Sequence, residues 1–147
     1  MLYMQVLNGL SGAGQRCHTV YHEINGSRTR STITMSDDYK TDKWIQKVFQ
    51  GWHDPCPYKA ETDGLHSVWK YRNFINPPYS NVTPWVDRSI EENQKGNICV
   101  LLLKVDTSTN WFKDLQEAGA RFLFVHGRLT FGTNDNAPFP SMLAVLS

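Results

Sequence analysis

Residues 98–103, Ile-Cys-Val-Leu-Leu-Leu, restrict the fold more than any other feature of this chain. The run is apolar without alternation, so it predicts a strand buried on both faces. Such a strand belongs at the centre of an α/β sheet with cover on each side. The flanking chain supplies the other layers in order. Tyr71 to Ile75 predict a short strand that stops at Pro77-Pro78, because neither proline can donate to a ladder. Thr83-Pro84 predict an N-cap followed by proline at the first helical position, with Trp85, Val86, Ser89 and Ile90 inward and Gly96 at the C-cap. Ser108 or Thr109 would cap a further helix that turns Trp111, Phe112, Leu115 and Ala118 inward and ends at Gly119. Residues 121–132 predict a strand, or a strand pair bent at Gly127. A loop follows, and residues 141–147 predict a final apolar strand. The order from residue 71 is strand, helix, strand, helix, strand, strand, which predicts a doubly wound α/β sheet, mostly parallel with a C-terminal antiparallel strand.

Upstream the signals are weaker. Residues 1–7 predict a short strand, 8–14 a glycine-bearing loop, 19–24 an alternating strand and 25–32 a polar turn and linker. After Met35, a helix capped by Ser36, Asp37 or Thr41 would present Trp44, Ile45, Val48, Phe49 and Trp52 as one apolar face, with Gly51 helping to end it. Residues 53–66 predict a loop. The expected organisation is an N-terminal extension over 1–34 and a main domain over 35–147.

At 147 residues with a net charge of +1, the chain is one domain in size and is not the strongly basic kind that coats nucleic acid. Any contact with DNA must come from a local patch. No apolar run reaches the roughly 20 residues needed to span a membrane, so no membrane partner is expected. The N-terminus lacks the basic start of a signal peptide. Three cysteines without a CxxC pair suit a reducing cytoplasm rather than a disulfide scaffold.

Asn76-Pro77-Pro78-Tyr79 carries the chemistry. In an open α/β sheet, ligands bind at the carboxyl ends of the strands, and this tetrapeptide sits at such an end. The Asn side-chain carbonyl and the backbone carbonyl of the next residue are two adjacent acceptors. They suit an exocyclic NH2 group, which has two hydrogens to donate. Such an amine is a poor nucleophile because its lone pair is delocalised into a ring. Accepting both hydrogens returns electron density to nitrogen as it attacks, so the contacts strengthen toward the transition state. Tyr79 can stack on a planar base. On its own, the tetrapeptide is moderately specific, and an ordinary strand-to-helix turn is the lesser alternative.

The tetrapeptide resembles the Asn-Pro-Pro-Tyr motif of amino-group methyltransferases that use S-adenosylmethionine. Over residues 36–146 the chain resembles the phage-type Dam family of DNA adenine-N6 methyltransferases. The resemblance rests on Asp38-Tyr39-Lys40-Thr41 with Trp44, on Asp54-Pro55-Cys56, and on Asp63-Gly64-Leu65 with Trp69. It continues through Asn76 to Tyr79 with Trp85, Leu101 to Leu103, Trp111-Phe112, Gly127 to Phe131, and Ala137 to Ser141. It implies a minimal Rossmann-like methyltransferase domain over 35–147. It further implies that Asn76 and Pro77 accept from an adenine amine, with Pro78 and Tyr79 completing the catalytic motif and Tyr79 stacking on the flipped base. Asp54, Pro55 and Cys56 would form a reduced S-adenosylmethionine motif, with Thr41 in a closing segment and Asp63 assisting. The family usually has Thr-Pro where this chain has Thr41-Asp42, and the glycine-rich cofactor loop of larger methyltransferases is absent after Asp54.

Other features carry less. Residues 7–14 could be a displaced cofactor loop with Glu23 as the ribose-binding acid, but Gly14 to Glu23 is too short for the intervening helix, and a surface hairpin is the plainer expectation. Cys17, His18, His22 and Glu23 lack the second pair that a zinc set needs, so no metal site is expected. Cys56 need not be a nucleophile, since methyl transfer to nitrogen is direct. His53, His66 and His126 have no visible acid partner. Arg128, Lys104, Arg72 and Lys70 are candidates for DNA phosphate contacts, with Arg128 foremost, against a merely solvated charged rim. The expected function is methylation of adenine N6 in double-stranded DNA, in the host cytoplasm if the gene is viral. Cytosine N4, RNA adenine and a protein glutamine present the same donor pair, and a decayed, non-enzymatic binding module is the other class. The length leaves target reading to short loops such as 80–83 and 132–140, or to a second subunit in a homodimer, or else specificity is loose.

Overall fold

The computed structural model describes residues 7–11, 15–24, 27–34, 40–57, 63–130 and 136–147, the first three segments by backbone alone. The chain divides into two units, Met1–Asp37 and Asp38–Ser147.

The first unit holds three strands, β1 (Leu7–Ser11), β2 (Gln15–Ile24) and β3 (Ser27–Thr34). They form one antiparallel sheet in the order β1-β2-β3. Two sequence expectations are corrected here. Residues 8–11 belong to a strand rather than a loop, and residues 27–32 belong to β3 rather than a linker. Local polarity misled in both places, because a two-sided antiparallel strand tolerates polar residues throughout. Ser11 pairs with Gln15, so the segment forms a hairpin, and the displaced-cofactor-loop alternative loses its loop-to-helix geometry. Residues 1–6, 12–14 and 25–26 lie outside the described residues.

The second unit contains α1 (Lys43–Val48), β4 (Arg72–Ile75), α2 (Thr83–Gln94), β5 (Ile98–Lys104), α3 (Asn110–Glu117), β6 (Arg121–Phe124) and β7 (Ser141–Leu146). The order from β4 onward is the expected one. The sheet runs β4-β5-β7-β6. β4 and β5 are parallel, whereas β7 is antiparallel to both of its neighbours. The sheet is therefore mixed rather than mostly parallel by pairing. The cause is the insertion of β7 between β5 and β6; β4, β5 and β6 still point the same way.

β5 behaves as its composition requires. Cys99, Leu101 and Leu103 enter one core with Ile75, Met142, Ala144, Leu146 and the inner residues of α2 and α3. Val100 and Leu102 enter a second core with Ile45, Phe74, Leu129, Ala137 and Leu143. Alternate side chains thus fill opposite faces, and neither face is left to water.

The helices show three differences from expectation. Asp42 caps α1, with its Oδ1 accepting from Trp44 N at 3.4 Å; Ser36 and Asp37 lie outside the described residues. Within α1 only Ile45 is buried, while Trp44 and Val48 are 47% and 62% exposed. Ile45, Phe49 and Trp52 follow an i, i+4, i+7 row, and the row beginning at Trp44 is turned away from the sheet. In α2, Val82 is the N-cap, and Thr83-Pro84 fall inside the first turn. α3 is capped by Thr109, whose hydroxyl accepts from Phe112 N at 3.4 Å. Among the described residues of 121–130, only Arg121–Phe124 form a strand, and residues 131–135 lie outside the described residues. Among the described residues no helix is long and apolar enough to cross a membrane.

Leu101 is wholly buried, whereas Leu123 on β6 is 57% exposed. Leu101→Ala is expected to lower unfolding free energy by about 2–5 kcal/mol. Leu123→Ala should change it by less than about 0.5 kcal/mol. Urea titration measures both, and equal effects would contradict the central placement of β5.

Candidate functional site

Backbone pairing brings the two motif segments to one end of the sheet. His53 forms a parallel bridge with Asn73 on β4. His53 N donates to Arg72 O at 3.0 Å, and Phe74 N donates to His53 O at 2.9 Å. Asp54-Pro55-Cys56 therefore leaves the bridge alongside Phe74 to Asn76. Both segments emerge at the carboxyl end of β4, where open α/β sheets hold their ligands.

At that end Asn76 is half-buried and Pro77 fully buried. Asn76 Nδ2 donates to Thr41 Oγ1 at 3.1 Å. The Tyr79 hydroxyl donates to Asn76 Oδ1 at a long 3.4 Å. The Tyr79 ring meets Phe139 edge-on, with centroids 4.8 Å apart. The amide is thus held from two sides by residues 35 positions upstream and 3 downstream. Asn73, three residues before Asn76, locks the strand from within. Its Oδ1 accepts from Lys70 N at 2.9 Å and its Nδ2 donates to Lys70 O at 2.6 Å.

Asp54 Oδ1 accepts from Cys56 N at 2.9 Å, which folds the motif into an Asx turn. Gly64 presses onto this turn: a Cβ on Gly64 would lie 1.6 Å from the Pro55 carbonyl oxygen. The Trp69 indole donates to Gly64 O at 2.8 Å in the core and stacks with Trp85 at 6.3 Å. Asp63, Gly64 and Leu65 are thereby joined to Asp54, Pro55 and Cys56. The Asp63 carboxylate is exposed, accepts from Leu65 N at 3.0 Å and lies 2.6 Å from His66 Nδ1. His66 thus has an acid partner that the sequence did not reveal. Residues 58–62 lie outside the described residues.

Burial shifts both Asp54 and His53 toward their neutral forms. Removal of water pushes the Asp54 carboxyl above the ordinary aspartate value, although the Cys56 N–H bond and the His53 charge pull it down. Asp54 keeps an exposed side, which limits that rise. Burial, aided by Lys70, holds the His53 imidazole below its ordinary value against the pull of Asp54. His53 Nε2 is buried and has no hydrogen-bond partner among the described residues. His66 binding holds the Asp63 carboxyl below the ordinary value. The Cys99 thiol is pushed up to about 12, chiefly by burial, so it is an inert core group.

The cationic candidates separate in space. Arg128 is exposed and has no ion-pair partner among the described residues. Lys104 ends β5 at the Asn76 end of the sheet and pairs with Asp106 at 3.2 Å. Arg72 opens β4 at the far end from Asn76, with its guanidinium 5.9 Å from the Trp52 ring centroid. Among the described residues no cluster of His, Cys, Asp and Glu could hold a metal ion.

Sequence reasoning missed Asp42. Besides capping α1, its Oδ2 accepts from Thr130 N at 3.2 Å and from Thr130 Oγ1 at 3.0 Å. A position 88 residues away gives no local signal. Phe139 was visible only as a piece of an aromatic-proline run.

A family model described as DNA N-6-adenine-methyltransferase (Dam) matches residues 33–141. The DNA N-6-adenine-methyltransferase of Escherichia phage T1 is 31% identical over 81 residues, covering 54% of this chain and 34% of that protein. The protein of the same name from Haemophilus phage HP1 is 37% identical over 81 residues, covering 54% and 43%. The matched stretch spans less than half the length of either relative. No solved structure matches.

Two outcomes follow from the geometry. Gly64→Ala forces a side-chain carbon against backbone, and should cost about 1–3 kcal/mol or more in thermal unfolding; a wild-type melting curve would refute the close approach. A histidine held below its unfolded value binds fewer protons when folded, so its contribution grows as pH rises toward 6.5 and is lost as pH falls through the folded value. His53→Gln should flatten the rise in urea midpoint between pH 5 and 7, and an unaltered slope would contradict the burial of the imidazole.

Proposed function

The chain belongs to the DNA N-6-adenine-methyltransferase (Dam) family, and on that premise we propose that it transfers a methyl group from S-adenosylmethionine to the exocyclic amine of adenine in double-stranded DNA. The observation that carries this is the parallel bridge of His53 with Asn73, which brings the segments that lead into Asp54-Pro55-Cys56 and Asn76-Pro77 to one end of the sheet.

The residues fit the cofactor by the chemistry of their donors and acceptors. S-adenosylmethionine presents an ammonium and ribose hydroxyls, which need acceptors. Asp54 retains acceptor capacity beyond its bond to Cys56, and Asp63 is a second exposed carboxylate. Asp54, Pro55 and Cys56 would hold it, with Asp63 and the Thr41 segment flanking. When bound, it supplies an electrophilic methyl group. Asn76 Oδ1 and the Pro77 carbonyl would accept hydrogen bonds from the amine and raise the electron density of nitrogen as its bond to the methyl carbon forms and the sulfur–methyl bond breaks, with one amine proton then lost to water. Pro77 and Pro78 restrain the backbone, so those acceptors need no ordering at the moment of reaction. Tyr79 offers its ring to the base, a contact worth ~1–3 kcal/mol. The adenine must leave the duplex to reach this end.

The Rossmann-like description of residues 35–147 is part of the same proposal. Its support is the common direction of β4, β5 and β6 and the placement of both motifs at the strands' carboxyl ends. For DNA phosphates we assign Arg128 first, then Lys104. Arg72, at the opposite end of β4, is the weakest of the three. A second copy of the chain would enlarge the DNA-reading surface, and light scattering that finds a monomer on DNA retires that part of the proposal.

The decisive experiment is transfer of tritiated methyl to unmethylated DNA, followed by nucleoside analysis. Label is expected in N6-methyladenine. Asn76→Ala should lower kcat by about 10²–10³-fold, and Asp54→Ala should weaken S-adenosylmethionine binding in calorimetry. Label in N4-methylcytosine would move the substrate. Equal labelling by wild type and Asn76→Ala would remove the catalytic assignment, and no heat with S-adenosylmethionine would favour a binding module.

A further inference from the structure

Thr41-Asp42 is the place where the family usually carries Thr-Pro, and the structure gives the aspartate a task a proline could not perform. Asp42 Oδ2 receives two hydrogen bonds from Thr130, one from the backbone and one from the hydroxyl. Thr130 closes a short segment fixed at a second point: Leu129 is buried in the core beneath the sheet, and its carbonyl accepts from Ala137 N at 2.7 Å. Arg128 lies beside these two anchors and is exposed. On the other side of the peptide bond, Thr41 Oγ1 accepts from Asn76 Nδ2. Two adjacent residues therefore tie the amine-accepting amide to the segment that displays Arg128.

We propose that Asp42 is a positioning residue for DNA: its carboxylate fixes Thr130, and thereby sets Arg128 to meet a phosphate close to the extruded base. This rests on the proposed DNA methylation and adds a residue to it. A segment held by Leu129 alone could pivot, and Arg128 would then have to be ordered on binding, at a cost to affinity. Charged acceptors make the stronger hydrogen bonds, so a carboxylate with two donors is a firm anchor. The arrangement predicts an effect on DNA binding and not on the chemical step, because Asp42 itself touches neither amine nor cofactor motif.

The test is methylation kinetics with the full chain over a range of DNA and salt concentrations, on Asp42→Ala, Asp42→Ser, Thr130→Val and the Asp42→Ala/Thr130→Val double variant. Asp42→Ala should raise KM for DNA about tenfold with kcat within about twofold, and should reduce the steepness of the salt dependence by about one, as Arg128→Ala does. Thr130→Val, which leaves the backbone bond, should raise KM by about threefold. The double variant should match Asp42→Ala, since both changes break one link. Asp42→Ser keeps a capping oxygen for α1 but is too short to hold Thr130, so its KM should match Asp42→Ala. A wild-type KM in Asp42→Ser would reduce Asp42 to a helix cap and overturn the proposal. Unchanged KM and salt dependence in all variants, or a fall in kcat at constant KM, would overturn it as well. Those results leave wild-type DNA methylation intact, whereas failure of wild type to label DNA would overturn the function and this inference together.

Discussion

Two backbone hydrogen bonds hold the site together. They join His53 to Arg72 and Phe74, and they set the register in which the Asp54 turn lies beside Asn76. A shift of one residue would move every side chain of the segment to the other face. The bridge is short, so its neighbours must complete the definition. Gly64 does so by approaching the Pro55 carbonyl more closely than any other residue could, and the Trp69 indole holds Gly64 from behind. The strand that carries the amine acceptors is itself pinned by a buried asparagine that closes a local ring with Lys70. Position at this end therefore comes from polar bonds and close approach, while the cores on either side of β5 provide rigidity.

Much of this was legible in the residues. The non-alternating run at 98–103 gave the central strand and its two-faced burial, because only a strand covered on both sides can hold six apolar residues in a row. The proline pair marked the strand exit, and so the place where chemistry could occur. What the residues could not reveal was neighbourhood. The insertion of β7 between β5 and β6 depends on non-local pairing, for which the chain carries no local sign. The exposure of Trp44 and Val48 has a similar origin: two apolar rows run along α1, and packing selects one. Residues 8–11 and 27–32 read as loop and linker because polar, glycine-bearing segments satisfy an antiparallel ladder as well as a loop does.

The titrating groups at the sheet end sit in opposed environments. Burial favours the neutral form of both Asp54 and His53, while the attraction between them favours the charged forms. The His53 Nε2 is enclosed without a partner among the described residues, which disfavours a charged imidazole there. Asp54 keeps one side open to water, so its carboxyl is accessible as an acceptor.

The insertion of β7 has a consequence for assembly. β6 is made before β7, yet it finds its place in the sheet only through β7. Until residues 141–146 arrive, β6 has no ladder to join, and one edge of the apolar β5 stands open. The step that closes this edge also draws Phe139 against Tyr79, because β7 starts at the end of the sheet where β4 finishes. The aromatic contact at the site and the closing of the β5 edge thus depend on the same stretch of chain.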